Sequence, residues 1–198
     1  AVHNADLYRT ERWRRQVADS LREVAGLVSA DTGLEDVLDR VLQELERNLP
    51  CEVAAIWLLE EENLYLAKVH GADILEVDDA AHRWPEAYQF LTAALAAEQP
   101  IVRKPDDPIG PTGTALGFSA DYSSIAAGLR VGDRPLGVLT LSHHTSGRYG
   151  HEAQAMTATF ASYAAVAIEN ARLYDSAQEQ AYASAALLQV AQAVANAN

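Results

Sequence analysis

One short phrase occurs near both ends of the chain. Asn4-Ala5-Asp6-Leu7-Tyr8 returns 166 residues later as Asn170-Ala171-Arg172-Leu173-Tyr174. At the same offset Leu21, Val24, Ala25 and Val28 fall on Leu187, Val190, Ala191 and Val194, so the ungapped windows 4–30 and 170–196 share eight identities. Neither window contains proline, and Gly26 is their only glycine, which suits a helix interior. A chain bracketed by two versions of one helix reads as one unit of a tandem array. The implied division is an incoming linker helix over 1–30, a globular domain over 31–172 and an outgoing linker helix over 173–198.

The length between the helices is enough for one core of about 130–150 residues. Apolar residues make up 49% and charged residues 22%, an ordinary globular balance. A net charge of −13 opposes nucleic-acid binding, which needs a basic face, and docking on anionic membranes. The arginines of the first helix (Arg9, Arg12, Arg14, Arg15 and Arg22) read as a solvated face. A single cysteine, Cys51, excludes an internal disulfide and points to a cytoplasmic setting. No apolar run approaches the roughly 20 residues of a membrane span, and the start does not resemble a signal peptide.

Along the chain, Val17, Leu21, Val24 and Val28 form one helical stripe, shorter than two heptads and so short of a coiled-coil signature. A second helix is expected over 34–48, capped by Asp31 or Thr32, with Leu34, Val37, Leu38, Val41, Leu42 and Leu45 as its apolar face. The period then changes. Residues 52–59 read as a central strand and 64–69 as its return, a hairpin closing at Gly71. The acidic stretch 72–84 reads as loop, and Pro85 opens a helix to about Ala97. Residues 101–103 form a short strand. Three prolines and three glycines make 104–117 irregular and the natural place for motion. A second hairpin spans 123–142 across Gly132-Asp133-Arg134. A last helix runs from near His151 to about Ala195. Its first half should dock on the sheet through Met156, Phe160, Tyr163, Val166 and Ile168, and its Ala-rich second half should leave the domain. Antiparallel hairpins with helices at both chain ends give an α+β sandwich.

Two stretches carry a family resemblance. Ser124-Ile125-Ala126-Ala127-Gly128-Leu129-Arg130-Val131-Gly132-Asp133-Arg134-Pro135-Leu136-Gly137-Val138-Leu139 resembles the two-strand signature of GAF domains. The closing Ala161–Tyr174 segment resembles the helix by which GAF domains exit into signalling linkers. The likeness covers about residues 30–175. It implies a six-stranded antiparallel sheet with the terminal helices on one face and a small-molecule pocket on the other. It also implies a sensory or dimerising role that feeds an output domain elsewhere in the polypeptide. One departure is Gly128, where the family often has proline.

The same resemblance sorts the ligands. The Asn-Lys-Phe-Asp-Glu set of cyclic-nucleotide-binding relatives cannot be threaded through 60–150, where Lys68 and Lys104 are the only lysines. Covalent bilin attachment is not expected, because Cys51 sits at the start of the first strand. A methionine-sulfoxide reductase of this fold needs cysteines in its pocket loops. A haem sensor needs one inward histidine, with His70 and His82 as candidates. His143-His144 with His151 could ligate a metal, but neighbours on a strand point to opposite faces, so the trio reads as a solvated connector and no metal site is assigned. No nucleophile triad or phosphate loop is present, and the chain reads as a non-enzyme with no cofactor required. The candidate pocket residues are Tyr88, Phe90, Phe118, Tyr122, Ser123 and Ser124, with His70 at the rim; the bland alternative is that they are core. The expected partners are a second copy through the flanking helices and an unidentified small molecule. The functional alternatives are a ligandless dimerising module and a haem or chromophore sensor.

Overall fold

The computed structural model describes residues 33–196. The incoming helix expected over 1–30, and Asp31 or Thr32 as a cap, lie outside the described residues. The elements are α1 (Leu34–Asn48), β1 (Val53–Glu60), β2 (Asn63–His70), α2 (Ile74–Arg83), a 3-10 turn (Pro85–Ala87), α3 (Tyr88–Ala96), β3 (Ile101–Val102), α4 (Pro111–Ala115), β4 (Ser123–Val131), β5 (Arg134–His143) and α5 (His151–Asn196). The strands form one antiparallel sheet in the order β2-β1-β5-β4-β3. Gly132, at φ +60°, makes the tight turn between β4 and β5.

Among the described residues the sheet has five strands, not six. The chain between β3 and β4 contributes no further strand. Pro105, Pro108 and Pro111 there have no N–H to give a ladder, and the segment folds into turns and α4 instead.

β1 and β5 lie in the middle and are buried on both faces. Alternation splits their side chains into two cores. Ala54, Ile56, Leu58, Leu139 and Leu141 join α1 and α5 on one face. Ala55, Trp57, Ala126 and Val138 join α2 and α3 on the other. α5 packs on the first face through Met156, Phe160, Ala161, Ala164, Ala165, Ile168 and Ala171. These recur at helical spacing, and the small alanines let the helix lie close to the strands. Tyr163 and Val166, expected to dock, point away from the sheet. They occupy the opposite side of the same helix.

Residues 72–84, expected to be loop, hold α2. The Asp73 carboxylate caps it, accepting the N–H groups of Leu75 (2.8 Å) and Glu76 (3.3 Å), and Val77, Ala80 and Ala81 give it a short buried stripe. Within 104–117, Pro111 opens α4 at its first turn, where a missing N–H is harmless. At 46 residues, α5 is ~70 Å long. No helix among the described residues is long and apolar enough to cross a membrane.

Candidate functional site

The face under α2, α3 and α4 holds a connected group of buried hydroxyls. Thr140 and Ser142 follow Val138 at every second position of β5, so both point to this side, as does Ser124 of β4. Trp57 Nε1–H donates to Thr140 Oγ1 at 3.3 Å. Ser124 Oγ donates to the Leu141 carbonyl at 3.0 Å and lies 3.1 Å from Ser142 Oγ, which is 2.9 Å from Thr112 Oγ1 of α4. All four hydroxyl-bearing residues are buried and partnered, three through one another's hydroxyls and Thr140 through Trp57 and the Ala55 carbonyl.

Tyr122 closes this site. Its hydroxyl accepts the Gly110 N–H at 3.0 Å, and its ring packs so tightly on α4 that a Cβ at Gly113 would stand 2.7 Å from a ring atom. Burial pushes the Tyr122 phenol up from its ordinary value. Arg103, buried just after β3, holds the closing segment. Its guanidinium donates to the carbonyls of Asp107 (2.5 Å), Ala120 (2.8 Å), Pro108 (3.0 Å) and Tyr122 (3.2 Å), and its centre lies 4.4 Å from the Tyr122 ring centroid. The space left among Trp57, Phe90, Thr112, Tyr122, Ser124 and Thr140 is about 10 Å³. That is about the least that admits one water. Among the described residues, Tyr122 is the only ionisable side chain lining it. The arrangement offers hydroxyls and one indole N–H for reversible recognition, and no nucleophile-base pair.

Two open clefts flank this closed centre. One, about 510 Å³, lies between the β1–β2 turn and α2–α3, beside Tyr88 and His82. The other, about 480 Å³, lies between α3 and residues 100–108 beside Phe90.

The expected pocket residues are thus divided. Phe90, Tyr122 and Ser124 line the central space. Tyr88 stands at its edge, edge-on to Trp57 at 6.1 Å, and lines the first cleft. Phe118 is half-buried, its ring centroid 5.6 Å from that of Tyr122. Ser123 serves the connector to α5, its Oγ accepting the Arg148 N–H at 2.8 Å.

His70 belongs to the opposite face, a correction with a local cause. The β1–β2 register shifts between Ile56 and Trp57: Trp57 faces Leu66, but Ile56 faces Lys68. The extra residue reverses the alternation. Leu64 and Leu66 point under α3, whereas Lys68 and His70 point at α1. There His70 Nε2 meets Asp39 Oδ1 at 3.0 Å, and Nδ1 lies 3.3 Å from Glu46 Oε1. The Asp39 carboxyl is held below its ordinary value, first by the hydrogen bond from His70. His82, the other histidine considered for haem, sits on exposed α2 with Nδ1 2.9 Å from the Asp78 carbonyl of its own helix.

Sequence reasoning does not single out Arg103, Thr112, Thr140 or Ser142. The legible signal is the polar alternation in Val138-Leu139-Thr140-Leu141-Ser142: hydroxyls at alternate positions of a strand buried on both sides must find partners.

A GAF domain family profile matches residues 33–170. The chain belongs to the GAF family. Its fold is similar to the GAF domain of a phosphoenolpyruvate-protein phosphotransferase from Coxiella burnetii, at 20% identity and TM-score 0.61 over 82% of this chain and 98% of that one. It is similar to the GAF domain of a two-component sensor histidine kinase from Bacillus halodurans (21%, TM-score 0.55, 72% and 98%). It is also similar to the free methionine-R-sulfoxide reductase of Neisseria meningitidis solved with its substrate (18%, TM-score 0.61, 81% and 90%). No protein of curated description matches. The solved relatives include domains of signalling proteins as well as an enzyme.

Proposed function

We propose that this GAF domain is a non-catalytic regulatory module. In this reading it pairs with a second copy in parallel along α5 and passes changes in its core through that helix to an output domain in the same polypeptide. The observation that carries the reading is the division of α5. Through Ala171 its inner side is core, while Tyr163, Val166, Asn170, Leu173 and, two heptads further on, Leu187 follow 3-4 spacing on the outer side. Leu173 and Leu187 are 60% and 71% exposed. Such a stripe is self-complementary in a parallel pair, and an asparagine within it fixes register. Tyr182 and Leu188 are exposed outside the stripe, and Gln180 and Ser184 interrupt it, so the seam is strongest next to the domain.

Asp175 supports a signal path. Its Oδ2 accepts the Leu34 N–H at 3.2 Å, tying the outgoing helix to the start of α1, where the incoming segment arrives. The repeated Asn-Ala-x-Leu-Tyr phrase puts the same asparagine-leucine spacing near the start of the sequence. The single thiol is unsuited to a catalytic role like that of the sulfoxide reductase. Burial, then Glu46, pushes Cys51 up to about 12, so it is protonated at neutral pH.

Light scattering tests the pairing. At tens of micromolar the protein should run at twice its chain mass. Leu173→Glu with Leu187→Glu should run at the chain mass and keep the circular dichroism spectrum of the folded wild type, since both residues are exposed in the single chain. A monomeric wild type would contradict the reading.

The ligandless dimerising module is the second reading, favoured by the satisfied hydroxyls and the 10 Å³ interior. Native mass spectrometry with solvent extraction separates the two. A stoichiometric small molecule that leaves on Arg103→Met supports sensing, and its absence at saturating metabolite mixtures supports the ligandless form.

A further inference from the structure

We propose that Glu52, His143 and His144 bind one divalent transition-metal ion, with zinc as the probe. The three side chains each bring a ligand atom within 4.8 Å of the others. Two imidazoles and a carboxylate are a donor set that zinc and its borderline neighbours accept, with water filling the open position. Binding of the ion is independent of the signalling reading.

The backbone under the cluster is fixed. Val53 pairs with Ser142 across the β1–β5 ladder, Ser123 pairs with His143 across β4–β5, and the Glu52 N–H donates to the Ser142 carbonyl at 2.9 Å. Strict strand alternation would send His143 and His144 to opposite faces, but His143 is the last residue of β5 and the chain turns after it. The two rings stack, centroids 4.7 Å apart and planes at 26°. Glu52 is already aimed at them: its Oε2 accepts the His144 N–H at 2.8 Å, and its Oε1 lies 2.6 Å from His144 Nδ1. The backbone bond from His144, more than any other contact, holds the Glu52 carboxyl below its ordinary value, so the ligand is charged at neutral pH.

Binding asks for small, named movements. The ion takes the place of the proton shared by His144 Nδ1 and Glu52. Their 2.6 Å contact opens to about 3.3 Å, the separation of two ligands each about 2.0–2.1 Å from a tetrahedral zinc. His143 gives up the 3.0 Å bond that its Nδ1 accepts from the Thr145 N–H, whichever ring nitrogen ligates. That amide is exposed and turns to water. Because protons and the ion compete for the same ligand atoms, affinity falls on acidification.

The test is isothermal titration of zinc chloride into untagged, EDTA-stripped protein of the full sequence. One ion per chain is expected, weakened at least tenfold by His143→Ala or His144→Ala and several-fold by Glu52→Gln. His82→Ala, which removes an exposed histidine on α2, should leave it unchanged. The wild type alone supplies a second readout, at least tenfold weaker binding at pH 5.5 than at pH 7.5. Melting curves of the metal-free variants should match wild type. Absence of saturable binding, or equal binding by the His143→Ala, His144→Ala double variant, would overturn the assignment.

Discussion

The two faces of the GAF sheet solve the same problem in different ways. One is covered by two helices of 15 and 46 residues, and its core is almost wholly apolar, the buried Glu44 and Thr157 being partnered within their own helices. The other is covered by shorter helices and a proline-rich segment, and it buries the hydroxyls of Thr112, Tyr122, Ser124, Thr140 and Ser142 plus a guanidinium. Helices of three or more turns present a continuous stripe and need no help from side-chain hydrogen bonds. Short segments cannot, and their free carbonyls need a donor such as Arg103. The difference teaches where this fold can change. The first face fixes α5; the second is closed by side-chain hydrogen bonds between short segments.

The sharpest way to break the contrast is a buried charge. Val138 and Leu139 are adjacent, fully buried and on opposite faces. Val138→Asp and Leu139→Asp should each abolish the folded state, because an unpaired carboxylate has no partner in either core. An unchanged melting temperature for one of them by circular dichroism would show that its side chain does not face where the register puts it.

A smaller effect separates the faces. Arg103→Met keeps much of the volume but strands four carbonyls, and should cost about 2–4 kcal/mol. Limited proteolysis should cut first within 104–122, while hydrogen exchange of α1 and α5 stays as in wild type. Equal loosening of both faces would mean that the closing segment and the helix layer are one unit.

The smallest effect lies at the rim of the helix face. Asp39 is held below its ordinary value by His70, so its contribution is present above about pH 4, the unfolded value, and is lost as pH falls through the folded value. Asp39→Asn should therefore lose less melting temperature than wild type between pH 6 and pH 3. The two proteins should differ little below that range. The carboxylate is partly exposed, which keeps the difference small.

What the sequence discloses follows the same division. α1, both hairpins and the whole of α5 announce themselves by period, because long elements repeat a pattern several times. α2 does not, since its buried stripe is one valine and two alanines inside an acidic run, and only the Asp73 cap betrays it. Alternation alone puts His70 on the wrong face, because one extra residue in β2 reverses it without leaving a mark in composition. Arg103 escapes notice for a related reason: its partners are main-chain carbonyls, which every sequence supplies. Tyr163 and Val166 look like core by residue type, yet alanines take the buried side of α5 and leave them outside.

That outward stripe offers the most direct test of pairing. In a Cys51→Ser background, Leu187→Cys places one thiol per chain on the exposed side of α5, at a position that meets its own copy only in a parallel, in-register pair. Mild oxidation followed by a non-reducing gel should convert most of the protein to a disulfide-linked dimer, and Leu173→Glu in the same chain should suppress it. Protein that stays monomeric under oxidation, or links equally well with Leu173→Glu present, would contradict pairing along α5.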